Sequence, residues 1–158
     1  MLKIFKRPDK MVRQVPAVPP VPVVQPVPLP EYGTMPEEKA RELSPLTMAF
    51  IGDAVYSLYV RTSLAAKGGL VRKMHYDAIG KVKAAAQAKA GEALQSSLTE
   101  DEKQIYVRGR NAKSANIPKH ADVAEYHSAT AFETLLGYLY LAGKQERLNE
   151  ILKMTDTI

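Results

Sequence analysis

An all-α domain is what this sequence predicts from residue 36 onward, and three observations predict it. Apolar residues recur at steps of three and four, the period of a helix rather than of a strand. Helix starts are signalled by Ser44-Pro45, by Thr99 with Glu102, and by Asp122 with Glu125. Stops are signalled by Gly68-Gly69 and Gly143, each after a long periodic run. No convincing strand and no internal repeat breaks the pattern.

The elements follow in order. Residues 1–35 stand apart: from Val15 to Pro30 the chain is mostly Pro and Val, which forbids helix and sheet and favours an extended polyproline spacer or a docking motif. Residues 36–158 form the helical domain. A short lead-in helix covers Glu37 to Glu42. The next opens at Ser44-Pro45 and runs to about Ala66. Only Asp53 and Arg61 are charged between those limits, which predicts a helix buried on most sides. One helix is expected over Met74 to Ser97, carried by Ala84, Ala85, Ala86 and Ala88, with Lys81, Lys83 and Lys89 in solvent. Thr99 and Glu102 open a helix ending near Arg110, and Gly109 to His120 reads as an ordered loop. Asp122 caps the last long helix, which ends at Gly143. Lys144 to Met154 closes the chain.

Composition narrows the function classes. The 158 residues are 46% hydrophobic and 25% charged, enough for one domain with a real core. There is no cysteine, so disulfides and thiolate metal sites are excluded. No apolar run approaches the roughly 18 residues of a membrane span, so no membrane partner is expected. The formal charge of +5 favours an anionic partner such as nucleic acid. Residues 1–35 hold five Lys/Arg against two acids, so the helical part is only mildly basic. Binding there must come from a local cluster. A basic start with few acids before Glu31 also leaves an organellar transit peptide as a minor alternative.

Two carboxylates stand out. Asp53 shares a helical stripe with Leu46, Ala49, Phe50, Tyr56 and Val60. Glu133 shares one with Tyr126, Ala129, Thr130, Leu136 and Tyr140. An unpaired buried carboxylate costs several kcal/mol, so each needs compensation, from a hydroxyl or a cation. A divalent cation between two inward-facing acids is the simplest solution. Gly52 and Gly137, beside or one turn from the acids, would let neighbouring helices approach. The third feature is the basic run Arg108-Gly109-Arg110-Asn111-Ala112-Lys113-Ser114, followed by Lys119 and His120. Its cations, amide and hydroxyl suit phosphate oxygens, though a merely solvated loop is the competing reading. His75, His120 and His127 lack paired zinc-ligand spacing.

Phe50-Ile51-Gly52-Asp53-Ala54-Val55 resembles the signature helix of ribonuclease III domains. Phe132 to Leu141, which contains Glu133, resembles their second acidic helix. The run from Arg108 to Ser114, with no double-stranded-RNA-binding domain alongside, resembles the compact Mini-ribonuclease III branch. The likeness spans about Leu43 to Leu152. It implies a homodimeric ribonuclease III endonuclease domain that cuts double-stranded RNA and leaves 5′-phosphates and two-nucleotide 3′ overhangs. Asp53 and Glu133 would hold Mg²⁺ and carry catalysis. Arg108, Arg110, Asn111, Lys113, Ser114 and Lys119 would contact RNA. The implied substrate is a precursor of 23S ribosomal RNA of the large subunit, in the bacterial cytoplasm or, as a minor alternative, a plastid. A ribosome precursor or ribosomal protein is an implied partner. Larger relatives carry further acids where this chain has Ala49 and Thr130. Asp122, eleven residues before Glu133, is the candidate supplementary acid, with an N-cap role as its competing reading. The runner-up is a catalytically silent member of the fold that binds structured RNA or ribosomes.

Overall fold

Helix starts and stops fall where local chemistry puts them. The structure, a computed structural model, describes residues 33–113 and 122–158. Seven α-helices lie among them: α1 (Glu37–Glu42), α2 (Pro45–Lys67), α3 (Val71–Val82), α4 (Ala84–Leu94), α5 (Glu100–Arg110), α6 (Val123–Leu141) and α7 (Gln145–Met154). Short 3₁₀ turns follow α4 and α7, and no strand occurs among the described residues. The Ser44 hydroxyl accepts from Thr47 N at 3.0 Å, satisfying one free amide at the start of α2. Thr99 and Glu102 form a reciprocal capping box on α5. Gly68, at φ +73°, ends α2 in a backbone conformation that L side chains rarely adopt.

Two expectations change. The single helix over Met74 to Ser97 is two helices, broken at Lys83, whose ψ of 151° is extended. No glycine or proline marks that break. Gln87 takes up a carbonyl it frees, donating from Nε2 to Val82 O at 3.1 Å. The loop expected from Gly109 begins later, because Gly109 and Arg110 belong to α5 and Asn111 is its C-cap. Residues 114–121 lie outside the described residues.

Helix α6 is the axis. It is apolar on nearly every side, with Phe132, Leu135, Leu136 and Leu139 fully buried, and α2, α4 and α5 pack around it. The Phe132 and Tyr56 rings meet nearly perpendicular, at a centroid distance of 5.0 Å. At the α2–α6 crossing the main chains touch. A Cβ on Gly52 would overlap the Glu133 carbonyl, and one on Gly137 would overlap the Met48 carbonyl. The lead-in helix α1 is tied to α6 through Glu37, which accepts from Tyr138 Oη at 2.6 Å and pairs with Arg41 and Lys144. Those partners, the Tyr138 hydroxyl first, hold the Glu37 carboxyl down to about 2. Helix α7 is held by Arg147, which donates to both Glu102 oxygens, at 2.8 and 3.0 Å.

Helix α2 is less buried than its composition implies. Met48, Ala49, Gly52, Val55, Tyr56 and Val60 face α6, whereas Leu46, Phe50, Ala54 and Leu58 form an exposed stripe. Phe50 is 78% exposed. A helix scarce in charge therefore need not be buried on every side.

Gly52→Ala and Gly137→Ala are each expected to cost about 3 kcal/mol or more, because main chain cannot rotate out of the way. Gly80, inside α3 with open space around it, is the control: Gly80→Ala should gain about 0.5–1 kcal/mol from helix propensity. Denaturant melts of the three variants check this.

Candidate active site

The close crossing of α2 and α6 sets Asp53 one residue beyond Gly52 and Glu133 one turn before Gly137, so the two carboxylates neighbour each other. Asp53 is exposed, which corrects the expectation that it faces inward. Glu133 is half-buried. Burial, and then the charge of Asp53, push the Glu133 carboxyl up to about 7, while a hydrogen bond from the Gln87 side chain acts in the opposite direction. Gln87 also reaches Asp53 Oδ1 at 3.4 Å, the long end of a hydrogen bond. Its own Oε1 is buried without a partner. Two adjacent carboxylates that repel each other, beside an unmatched amide oxygen, fit a hard divalent cation that takes oxygen ligands. No group of three or more His, Cys, Asp or Glu side chains gathers among the described residues, so any cation would rest on few protein ligands.

The remaining candidates lie elsewhere. Asp122 caps α6, accepting from Ala124 N at 2.8 Å and Glu125 N at 3.2 Å. At 1.5 Å per residue it sits about 16 Å along the helix from Glu133, so it does not join the acid pair. Ala49 and Thr130 are both buried, and the Thr130 hydroxyl is spent on Tyr126 O at 2.9 Å. Arg108 turns inward to the main chain, donating to Arg41 O at 2.8 Å and Leu43 O at 3.0 Å. It therefore fixes the end of α1 and the segment before α2. Arg110, Asn111 and Lys113 are exposed at the end of α5. Ser114 and Lys119 lie outside the described residues. Gln87 escaped the sequence reading, although a lone amide in the run Ala84-Ala85-Ala86-Gln87-Ala88 was a signal worth following.

Comparison with known proteins gives the class, the hydrolytic endoribonucleases built on a ribonuclease III domain. The Ribonuclease III domain family matches residues 46–144. The chain belongs to the ribonuclease III family, in its Mini-ribonuclease III branch. It is 51% identical over 120 residues to a Mini-ribonuclease 3 of Thermoanaerobacter sp., covering 75% of this chain and 84% of that one. It is 49% identical over 112 residues to one from Symbiobacterium thermophilum, covering 70% and 86%. A Fusobacterium nucleatum protein of known crystal structure superposes with a TM-score of 0.67 at 31% identity, covering 74% of this chain and 94% of that one. The activity is hydrolysis of RNA at internal bonds. No helix among the described residues is long and apolar enough to cross a membrane.

Two outcomes follow from this geometry. A carboxyl raised in the fold adds stability below the ordinary carboxylate range and loses it as pH rises through about 7. In EDTA the wild-type melting temperature should therefore fall relative to Glu133→Gln between pH 5 and 8. At pH 8 the variant should be the more stable by on the order of 1–3 kcal/mol. Paired melts at the two pH values check it. Arg108→Ala should lower stability by about 1–3 kcal/mol, because it strands two carbonyls. Arg110→Ala and Lys113→Ala should instead leave melting unchanged and cut the log–log salt slope of RNA binding by about 0.7–0.9 per lost phosphate contact. Salt titrations beside melting curves separate the two roles.

Proposed function

We propose that this chain is a Mg²⁺-dependent endoribonuclease that cleaves double-stranded RNA and matures the precursor of 23S ribosomal RNA. The observation that carries the reading is the pairing of Asp53 with Glu133 at a main-chain contact, with Asp53 open to solvent and to a substrate phosphate. Bound there, Mg²⁺ would supply charge neutralisation at the phosphate and a lowered pKa for the attacking water. Asp53 offers its charge at the surface, where the scissile phosphodiester arrives. Glu133 sits deeper, and in the unmetallated protein its raised pKa leaves it part-protonated at neutral pH. The products carry 5′-phosphates and 3′-hydroxyls, with two-nucleotide overhangs.

Arg110, Lys113 and Asn111 serve the duplex as phosphate contacts, joined by Ser114 and Lys119, with Arg108 acting mainly through its tie to α1. A-form RNA is read by shape, phosphates and 2′-hydroxyls, which suits a short basic surface. The exposed stripe of Leu46, Phe50 and Leu58 supports a homodimer, since its apolar area lies on the helix that carries Asp53. Residues 36–158 are the catalytic domain and residues 1–35 a proline-rich extension. The bacterial source of the relatives supports action in a bacterial cytoplasm, and ribosome precursors are the partner that a ribosomal RNA substrate would bring.

The deciding experiment is single-turnover cleavage of a short RNA duplex, with Mg²⁺ and with EDTA. Asp53→Asn should slow cleavage roughly a thousandfold or more, about 4 kcal/mol of transition-state stabilisation, while keeping the fold, the dimer mass and duplex binding. Full activity in folded Asp53→Asn, or in EDTA, would overturn the mechanism. A wild type that binds duplex but never cuts it would favour the silent RNA-binding alternative.

A further inference from the structure

Gln87 is 1% exposed, yet it lies against the two acids rather than in the apolar core. The break at Lys83 turns the Val82 carbonyl toward it, and a carbonyl only accepts. That contact fixes which end of the amide is nitrogen. Nε2 thus serves Val82 and approaches Asp53, and Oε1 is left buried with no donor. Support of the helix break accounts for the nitrogen alone. It explains neither the unmatched oxygen nor the approach to two carboxylates. Ala49 brings no side-chain oxygen, and the Thr130 hydroxyl is bonded to its own helix, whereas Gln87 Oε1 is the buried side-chain oxygen left without a partner among the described residues.

We propose that Gln87 is the third arm of the cation site, its Nε2 steadying Asp53 and its Oε1 offering a neutral oxygen to the divalent cation, directly or through its hydration shell. This rests on the reading of Asp53 and Glu133 as a metal pair. An amide oxygen suits a hard cation, and it completes a site with two negative charges without adding a third. The ligands then come from three helices around one point: α2, α4 and α6.

The test is Mn²⁺ binding to the metal-free full-length chain, read by electron paramagnetic resonance of free Mn²⁺, with melting curves in EDTA. Wild type should show a site that Asp53→Asn removes. Gln87→Met, similar in volume but without oxygen or donor, should bind Mn²⁺ about ten- to a hundredfold more weakly, the range for residues that support metal ligands. Gln87→Glu gives up the Nε2 donor but keeps the oxygen and adds a negative charge, which outweighs that loss at a divalent cation, so it should bind several-fold more tightly than wild type. A Gln87 that only fills space would move the melting curves and leave Mn²⁺ affinity where it was. Folded Gln87→Met with wild-type affinity overturns the proposal. So does Gln87→Glu without a gain, which decides the matter even if Gln87→Met does not fold. If wild type has no site that Asp53→Asn removes, the metal reading falls and this inference with it. If that site is present and indifferent to Gln87, the inference alone falls.

Discussion

The contact between main chains at Gly52 and Gly137 is the constraint on which the rest of the structure depends. Helices with ordinary side chains at their contact lie about 8–10 Å apart, held off by those side chains. Here each glycine seats a carbonyl of the opposite helix, from Glu133 and Met48, so α2 and α6 come closer than any Cβ would allow. Asp53 and Glu133 are thereby set side by side with no rotamer in the path between their backbones. The closeness of the two backbones at this point is set by the main-chain contact itself. The mutual repulsion of the acids is the cost, visible in the raised Glu133 carboxyl.

Much of this was legible in the sequence because it is written in local chemistry. Ser44, Thr99 and Asp122 cap the helices their positions announced, and the glycine beside each acid does lie at a close approach. The break at Lys83 was not legible. Alanine-rich sequence carries no stop signal there, and the break is sustained by a tertiary contact, the Gln87 amide on Val82 O. The inward view of Asp53 failed for a related reason. An apolar stripe fixes which residues share a face but not whether another helix covers that face, and Leu46, Phe50 and Leu58 are left exposed. The basic run misled in part. Charge counted along a chain cannot tell a guanidinium facing solvent from one, like Arg108, whose donors serve two carbonyls.

The site is economical in charge. Two carboxylates, one exposed and one half-buried, are flanked by a neutral amide, alanine and a self-satisfied threonine. A larger acidic set would raise the desolvation and repulsion that the fold must absorb. Around that pair, the charged residues act as fasteners. Glu37 with Tyr138, Arg41 and Lys144 secures α1, and Arg147 with Glu102 secures α7. Among the described residues these contacts hold two short peripheral helices, α1 to α6 and α7 to α5.

Where the chain enters the domain is also fixed. Met35 N donates to Leu141 O at 2.8 Å, so the backbone joins the bundle at the C-terminal end of α6. Glu133 lies eight residues back along that helix, about 12 Å by helical rise. An extended residue spans up to about 3.6 Å, so four or five residues of linker bridge the axial distance between this anchor and the acid pair. For protein engineering, the chain just before Met35 is thus a natural graft point: an RNA-recognition module fused there would start within a short leash of the proposed cleavage centre, and its linker length would set how much RNA lies between module and acid pair.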